Sequence, residues 1–391
     1  MRVVFVDDEP NILLGMRRAM HDMRDAWQMQ FLPSAAAALE RLADSPADVI
    51  VSDMRMPGMD GWELLTEVRK RHPETVRFVL SGHAEQGAIM RSIGVAHQYL
   101  AKPCDSVALK VAIKRAGMLK HLLSNDALIE LVGQAGMLPS CPRSFQEVSS
   151  CLQQPNSTVA DVARIIGRDP GMTANLMKLV NSAFFGSRQS IIAIDRAIAY
   201  LGLDTLGTLV LGHGVFHTGG SSARADGQLQ ALWQHSVATA AIARTIALHE
   251  KLPRALVEEA FLAGMLHDLG KVVFATRDAA TNGAEAGSAQ EMTALIEERH
   301  AAMGAYLLGL WGFQNQIVEA VGLHHAPNRR ITTGLDLTVL IHIADRLAHW
   351  RYPKVLEAAE LGIEEGLLEG LGLLDHLSQW AAALDELSGS Q

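Results

Sequence analysis

Five polar side chains stand at the ends of predicted strands in the first part of this 391-residue chain. Three are acids, Asp7, Asp8 and Asp53, and the other two are Ser81 and Lys102. Ligands of a doubly wound parallel sheet bind at the carboxyl ends of its strands, so we expect the five to converge there. Three neighbouring carboxylates repel one another, and a hard cation such as Mg²⁺ relieves that repulsion.

The same residues have the chemistry for phosphoryl transfer. A carboxylate can form an acyl phosphate, and Asp53 is the expected phosphoacceptor. Lys102 would neutralise phosphoryl oxygens, and Ser81 would donate a hydrogen bond to one of them. This edge of the sheet is therefore predicted to be a Mg²⁺-dependent phosphorylation site.

A second group of chemically capable residues lies further along the chain, where nine of the sixteen histidines fall between positions 235 and 376. Imidazole and carboxylate together suit first-row transition metals. The adjacent His267 and Asp268 can give one metal an imidazole while the carboxylate bridges to a second. Two such metals would clamp a phosphodiester and activate water, and Lys271 could bind a phosphate oxygen. The candidate ligands are His235, His267, Asp268, His300, His324, His325 and Asp345.

The elements that must position the first group alternate between strands and helices. Short apolar runs, rich in β-branched and aromatic residues, predict strands over residues 2–6, 48–52, 76–80 and 98–100. Helical spacing predicts helices over residues 11–23, 35–42, 61–71 and 106–119. This alternation predicts an α/β fold with a doubly wound parallel sheet. The second group lies on or beside predicted helices over residues 230–249, 258–266, 316–323 and 337–348.

Charge and hydropathy divide the chain and exclude several classes of protein. Residues 1–120 hold 16 Lys and Arg against 15 Asp and Glu, whereas the remainder holds 18 against 28. The net charge of −9 and the lack of a basic helix-turn-helix argue against direct nucleic-acid binding. No apolar run approaches the ~20 residues of a membrane span, and acids follow the first strand too early for a signal peptide. Three cysteines without a C-x-x-C indicate reduced thiols of a cytoplasmic protein.

Residues 1–120 resemble a response-regulator receiver domain, which has a flavodoxin-like fold. The motifs that carry the resemblance are Val6-Asp7-Asp8-Glu9-Pro10, Ser52-Asp53-Met54-Arg55-Met56-Pro57, Leu80-Ser81-Gly82 and Tyr99-Leu100-Ala101-Lys102-Pro103. By this resemblance, a sensor histidine kinase phosphorylates Asp53. The implied Mg²⁺ ligands are Asp7, Asp8, Asp53 and the Arg55 carbonyl. Ser81 and Tyr99 would be paired switch residues, and the Lys102–Pro103 bond is expected to be cis.

The middle of the chain resembles the HDOD domain, an all-α signalling module related to the HD hydrolases. The resemblance rests on Leu138-Pro139, Asp169-Pro170, Asn181-Ser182-Ala183-Phe184 and Ala197-Ile198-Ala199-Tyr200-Leu201-Gly202. Helical spacing over residues 159–166, 172–180 and 194–201 agrees with a helical bundle. Asp169 and Asn181 are expected to be helix caps and not catalytic groups.

The candidate ligands resemble those of HD-type phosphohydrolases, among them the HD-GYP cyclic-di-GMP phosphodiesterases. The basic HD set corresponds to His235, His267, Asp268 and Asp345, and the extra set of binuclear members corresponds to His300, His324 and His325. The resemblance implies one or two iron, manganese or zinc ions. The sequence departs from the HD-GYP pattern in two places, because Ala326-Pro327-Asn328-Arg329-Arg330 replaces the acid and Gly-Tyr-Pro, and Ala231 replaces a glutamate ligand of some members. The substrate-recognition loop is therefore expected to be absent or rebuilt. The alternative is an inherited group of buried polar residues that hydrogen-bond one another.

We therefore divide the chain into a receiver domain (1–120), a helical linker (121–137), an all-α HDOD output domain (138–350) and a C-terminal helical extension (351–391). The expected function is that of a cytoplasmic response regulator whose HDOD domain contacts an unidentified signalling protein, without a membrane or nucleic-acid partner. The alternative is a metal-dependent phosphodiesterase gated by phosphorylation, so enzymatic activity stays open. A metal site that only senses or stabilises, and a homodimer, also stay open.

Overall fold

The computed structural model describes residues 1–82, 94–123, 126–182, 190–213, 223–281, 289–329, 334–349, 363 and 365–388. Within these ranges an α/β unit is followed by a helical unit, which confirms the predicted fold class. No helix in the described part of the chain is both long enough and apolar enough to cross a membrane.

The α/β unit is built on a five-stranded parallel sheet in the order β2-β1-β3-β4-β5. The strands are β1 (Arg2–Val6), β2 (Gln28–Leu32), β3 (Val49–Asp53), β4 (Val76–Ser81) and β5 (Gln98–Ala101). Strands β3 and β4 are buried along their whole length, as the apolar runs predict. The sequence patterns missed β2, an edge strand in which glutamines interrupt the apolar residues and no residue is fully buried.

Four described helices flank the sheet, namely α1 (Pro10–Ala19), α2 (Ala35–Asp44), α3 (Gly61–Arg71) and α4 (Ser106–Lys120). Helix α3 begins at a capping box in which Asp60 and Glu63 each accept a hydrogen bond from the other's backbone N–H. Helix α4 begins where the Asp105 carboxylate accepts a hydrogen bond from the Val107 amide. The single helix predicted over residues 11–23 is instead divided into α1 and a 3-10 turn at His21–Met23.

The helical unit begins with a linker helix, α5 (Asp126–Gln134). It continues with α6 (Pro142–Leu152), α7 (Val159–Ile166), α8 (Pro170–Val180), α9 (Ile194–Leu201), α10 (Leu203–His213), α11 (Ala223–His249), α12 (Arg254–Leu266), α13 (Leu269–Thr281), α14 (Ala289–Leu310), α15 (Asn315–Leu323), α16 (Leu337–His349), α17 (Glu365–Leu371) and α18 (His376–Ser388). A 3-10 turn at Pro327–Arg329 follows α15. The sequence patterns predict most of these helices.

The family-marking residues of this unit organise its most buried helix. Every residue of α8 is buried. The Asp169 carboxylate caps the helix by accepting hydrogen bonds from the Met172 amide at 2.9 Å and the Cys141 amide at 2.7 Å. The Asn175 side chain donates to the Leu138 carbonyl and accepts from the Leu138 amide, at 2.9 and 3.1 Å. These residues therefore tie the chain segment before α6 to the core.

The far end of α8 is closed by Asn181, which is its C-cap residue. The Asn181 side chain accepts a hydrogen bond from the Ile191 amide at 2.7 Å and donates one to the Ile191 carbonyl at 2.8 Å. Both capping predictions are thus met by the geometry.

Replacing Asp169 with alanine is expected to lower the free energy of unfolding by about 1–3 kcal/mol, because a buried and a partly buried backbone N–H group lose their acceptor. Asp161→Ala is the matched control, since Asp161 makes its bonds to Thr158 at the exposed start of α7. Urea unfolding of both variants measures the difference. Equal losses would show that the buried cap contributes no more than the exposed one.

Candidate phosphorylation site and histidine centre

The sheet brings the five predicted phosphorylation residues to one edge. Asp7 follows β1, Asp53 ends β3, Ser81 ends β4 and Lys102 follows β5. The parallel register sets Asp53 beside Leu80 and Ser81 beside Ala101, so these strand ends are level. Oxygen atoms of Asp7, Asp8 and Asp53 all lie within 4.8 Å of one another. The three acids could therefore hold one hard cation.

Lys102 joins two of these acids. Its Nζ lies 2.5 Å from Asp53 Oδ1 and 2.9 Å from Asp7 Oδ2. Burial raises the pKa of Asp53, and the Lys102 ammonium opposes that rise only in part. Burial alone would lower the pKa of Lys102, but its hydrogen bonds to the two carboxylates raise it. The Lys102–Pro103 peptide bond is cis, as the receiver resemblance implies.

The remaining predicted receiver residues surround this edge. Ser81 is fully buried at the end of β4, and Tyr99 on β5 is buried in the core on the same side of the sheet as Met54 and Met56. The Arg55 amide donates a hydrogen bond to Asp53 Oδ2 at 3.3 Å, so the backbone after β3 turns over this carboxylate. The role of the Arg55 carbonyl as a Mg²⁺ ligand stays a prediction.

Six helices bring the second group of residues together. His235 lies on α11, His267 and Asp268 join α12 to α13, and Asp345 lies on α16. His324 and His325 follow α15, and His300 lies within α14. We call these seven residues the histidine centre.

Two glycines allow the backbones around the histidine centre to approach closely. A Cβ on Gly264 would lie 2.6 Å from the Cα of Ala240, so α12 crosses α11 one turn before His267. A Cβ on Gly270 would lie 2.0 Å from the His300 carbonyl oxygen. A side chain at either position would push a ligand-bearing helix away from its neighbour.

The side chains of the centre form two groups joined by Asp268. His235, His267 and Asp345 form one group, in which His235 Nε2 lies 3.2 Å from His267 Nε2 and 2.9 Å from Asp345 Oδ1. The other group contains His300, His324 and His325, with 3.0 Å between the Nε2 atoms of His300 and His325. Asp268 Oδ2 lies 3.5 Å from His267 Nε2, and Asp268 Oδ1 lies 3.2 Å from His300 Nε2.

Backbone hydrogen bonds orient three of these imidazoles. The Nδ1 atoms of His267, His300 and His324 contact the carbonyl oxygens of Gly264, Ile296 and Val321 at 2.8, 2.9 and 2.7 Å. When Nδ1 carries the proton in such a bond, the Nε2 lone pair is free for a metal. Each of these histidines therefore presents Nε2 to the centre.

The arrangement fits a metal better than a self-contained hydrogen-bond network. Metal–ligand bonds of about 2.0–2.2 Å place neighbouring ligand atoms roughly 3 to 4 Å apart, as they are here. Among the described residues, the buried atoms His324 Nε2 and Asp345 Oδ2 have no hydrogen-bond partner. Buried polar atoms are normally satisfied, so these two point to a missing ligand.

The electrostatics of the centre also suit a cation. Burial opposes ionisation of Asp268, but neighbouring imidazoles and Lys271 hold its pKa well below the usual range. The pKa of Asp345 is likewise well below its usual range, because hydrogen bonds from His235 and His267 outweigh burial. Burial lowers the pKa of His325 to about 4, so its ring is neutral and able to bind a metal near neutral pH.

Lys271 stands beside the centre, where its Nζ lies 3.1 Å from Asp268 Oδ2 and 3.6 Å from Glu297 Oε2. The side chain of Lys271 is 11% exposed, whereas that of His325 is 31% exposed. His325 has the most exposed side chain of the seven residues, so solvent reaches the centre at its ring. Lys271 is a cation beside Asp268 that could pair with an anionic group.

Two further histidines belong to this region, and the sequence analysis missed both. His342 Nδ1 lies 2.6 Å from the His324 carbonyl oxygen and supports the turn that carries the paired histidines. His349 Nδ1 lies 2.9 Å from the Asp345 carbonyl and 3.2 Å from Asp345 Oδ1, and its ring packs against His235. Their spacing of three residues before and four after Asp345 places all three on one helix face, which is the signal that could have identified them.

Comparisons with known proteins match both halves of the chain. Residues 3–114 match the response regulator receiver domain, and residues 138–327 match the HDOD domain. Over 209 residues the chain is 38% identical to the hydrogenase transcriptional regulatory protein HoxA of Cupriavidus necator, covering 51% of this chain and 42% of HoxA. The chain spans less than half the length of the first curated relatives that it matches.

Two solved structures are similar to parts of the chain. The signal receiver domain of an HD domain-containing protein from Pseudomonas fluorescens Pf-5 is 28% identical, with a TM-score of 0.29, and the match covers 31% of this chain and 96% of that one. The MmoQ response regulator from Methylococcus capsulatus str. Bath is 24% identical, with a TM-score of 0.45, and the match covers 60% and 97%.

Proposed function

The chain joins a response regulator receiver domain to an HDOD domain, and we propose that a sensor histidine kinase phosphorylates Asp53 to control the HDOD output. One observation carries this proposal, namely that Lys102 reaches both Asp53 and Asp7 while the three acids lie within 4.8 Å of one another. The function is then that of a phosphorylation-dependent signalling protein.

Each residue at this sheet edge would have a separate role in phosphoryl transfer. A Mg²⁺ ion held by Asp7, Asp8, Asp53 and the Arg55 carbonyl supplies charge neutralisation when it is bound. The Asp53 carboxylate attacks phosphorus while the bond from phosphorus to the kinase histidine nitrogen breaks. Lys102 then pairs with a phosphoryl oxygen, and the Ser81 hydroxyl donates a hydrogen bond to another. Ser81 and Tyr99 would both shift toward the phosphoryl group when Asp53 is phosphorylated.

Asp53→Asn is expected to abolish labelling of the full chain by acetyl phosphate in the presence of Mg²⁺, because an amide cannot form the acyl phosphate. Asp60→Asn is the matched control, since Asp60 caps α3 seven residues later and should retain full labelling. Intact mass measurement detects the added phosphoryl group. Stoichiometric labelling of Asp53→Asn would assign the phosphoacceptor elsewhere.

For the output half, we propose that the histidine centre holds one or two iron, manganese or zinc ions and that the HDOD domain acts through contact with a signalling protein. Support for the metal comes from the converging Nε2 atoms and from the two buried atoms without partners. The net negative charge of the chain beyond residue 120 favours a basic partner surface.

Elemental analysis tests the metal. Protein purified without chelator or affinity metal is expected to carry about two transition-metal ions per chain. The double variant His267→Ala, Asp268→Ala should lose them, whereas His376→Ala should not, because His376 bonds to Glu250 at the end of α11. A double variant that keeps its metal would show that the centre is not the binding site.

A second candidate function is a phosphodiesterase gated by phosphorylation, and the placement of Lys271 beside Asp268 favours it. A bound metal pair would supply a Lewis acid and an activated water. Lys271 would hold a phosphate oxygen, and the opening at His325 would admit the substrate. The protein-contact function and this one differ in whether the loaded centre turns over a phosphodiester.

Hydrolysis of bis(p-nitrophenyl) phosphate by the metal-loaded full chain separates the two functions. If the chain is an enzyme, Lys271→Met is expected to lower kcat/KM by about tenfold or more while metal content is kept, because a phosphate contact is lost. The same rate with and without metal would exclude the phosphodiesterase. A pull-down with phosphorylated and unphosphorylated chain then follows.

A further inference from the structure

The receiver domain completes the cap of the helix that carries His300. At the C-terminal end of α14 the Phe313 amide donates to the Leu308 carbonyl at 3.1 Å, and the Gly312 amide donates to the Gly309 carbonyl at 3.2 Å. Gly312 has φ +83°, so this is a Schellman motif. The motif leaves the Leu310 carbonyl without a helical donor. The Gln98 side chain on β5 supplies that donor through Nε2 at 2.9 Å.

A second receiver side chain acts on the same helix end. The Arg115 guanidinium on α4 donates a hydrogen bond to the Phe313 carbonyl. A cation at this position is favourable, because the C-terminal end of a helix carries partial negative charge. The helices also touch directly, since a Cβ on Gly309 would lie 2.4 Å from Leu119 Cδ1. The end of α14 is therefore held by two elements of the receiver.

Each end of this contact leads to one of the two sites. Strand β5 carries Gln98 near its beginning, and Lys102 follows its end and bonds to Asp53. Helix α14 carries Leu310 at its end and His300 about three turns earlier. Because the backbone of α13 at Gly270 lies against His300, α14 cannot slide without moving this histidine relative to Asp268.

From this chain of contacts we infer that Gln98 and Arg115 couple the two sites, so that phosphorylation of Asp53 weakens metal binding by the histidine centre. The inference rests on the proposed functions of both sites. With Lys102 bonded to the Asp53 carboxylate, Gln98 and Arg115 both donate their hydrogen bonds to the end of α14, and His300 contacts Asp268. Drawing Lys102 to a phosphoryl group shifts β5, releases the Gln98 bond and loosens α14. By reciprocity, a loaded centre disfavours the phosphorylated form.

The experiment measures Zn²⁺ dissociation from the full-length chain by chelator competition, with saturating Mg²⁺ in every sample. Each protein is compared before and after treatment with acetyl phosphate, and the double variant His267→Ala, Asp268→Ala defines Zn²⁺ binding outside the centre. Phosphorylation of the native chain is expected to raise the dissociation constant about fivefold or more. Asp53→Asn should show no change.

Gln98→Leu and Arg115→Met are the coupling variants, and Gln28→Leu on the far edge strand is the matched control. Both coupling variants should still be phosphorylated and should still bind Zn²⁺. For each of them, the ratio of the Zn²⁺ dissociation constants after and before phosphorylation should fall towards one. Gln28→Leu should keep the native ratio. A native ratio of one, or a full ratio in both coupling variants, would overturn the inference.

Failure of the proposed functions gives a different pattern. If the double variant and the native chain bind Zn²⁺ equally, the histidine centre is not a metal site and the coupling falls with it. If acetyl phosphate labels no residue, the phosphorylation proposal fails instead. A native chain that is labelled and binds Zn²⁺ at the centre, but has the same affinity in both states, contradicts the coupling alone.

Discussion

The arrangement of the helices around the histidine centre depends on the Asp268 carboxylate, which is only 2% exposed. A buried charge is costly unless neighbours compensate for it. His267 precedes it in the chain, His300 reaches it from α14, and Lys271 reaches it from the next turn. Several helices must end or cross at one point to bring these partners together. The close approaches of α11, α12, α13 and α14 are the structural consequence.

In the receiver, a single cation compensates for the buried carboxylate charge. Asp7 and Asp53 are buried carboxylates, and Lys102 compensates for both. Between the two sites lie buried cations that donate hydrogen bonds to backbone carbonyl groups. The Arg77 guanidinium donates to the carbonyls of Val95, Thr75 and Gly133, the last near the end of α5. Such bonds use the partial negative charge of carbonyl oxygens, and the bond to Gly133 joins β4 to the linker helix α5.

A second buried cation shows what this burial costs. Lys178 lies on α8, where it stands 4.5 Å above the centre of the Trp311 ring and contacts the Gly136 carbonyl at 3.4 Å. Burial lowers the pKa of Lys178 to about 7, so the ring and the carbonyl compensate only in part for lost hydration. The packing of α8 against Trp311 and the linker therefore leaves this lysine in an environment that disfavours its charge.

The strongly patterned parts of both domains could be predicted from the sequence, because buried strands and amphipathic helices leave a periodic signal. Asp7, Asp53 and Lys102 were found because strand ends of a parallel sheet must share one edge. Strand β2 was missed, since an edge strand needs no continuous apolar run. The bond from Gln98 to the Leu310 carbonyl spans 212 positions and uses a backbone acceptor, so no residue type at the second position could reveal it.

The sequence differences from the HD-GYP pattern after His325 affect the expected substrate-recognition loop and not the candidate metal ligands. The ligands lie on or directly beside helices, and their ring orientations come from backbone carbonyls such as those of Gly264, Ile296 and Val321. His342 fixes the turn at His324 from α16, independently of the loop that follows. Hydrogen bonds of this kind orient metal ligands from behind, whatever substrate is bound. The difference from the HD-GYP pattern at residues 326–330 therefore does not prevent the seven candidate residues from assembling.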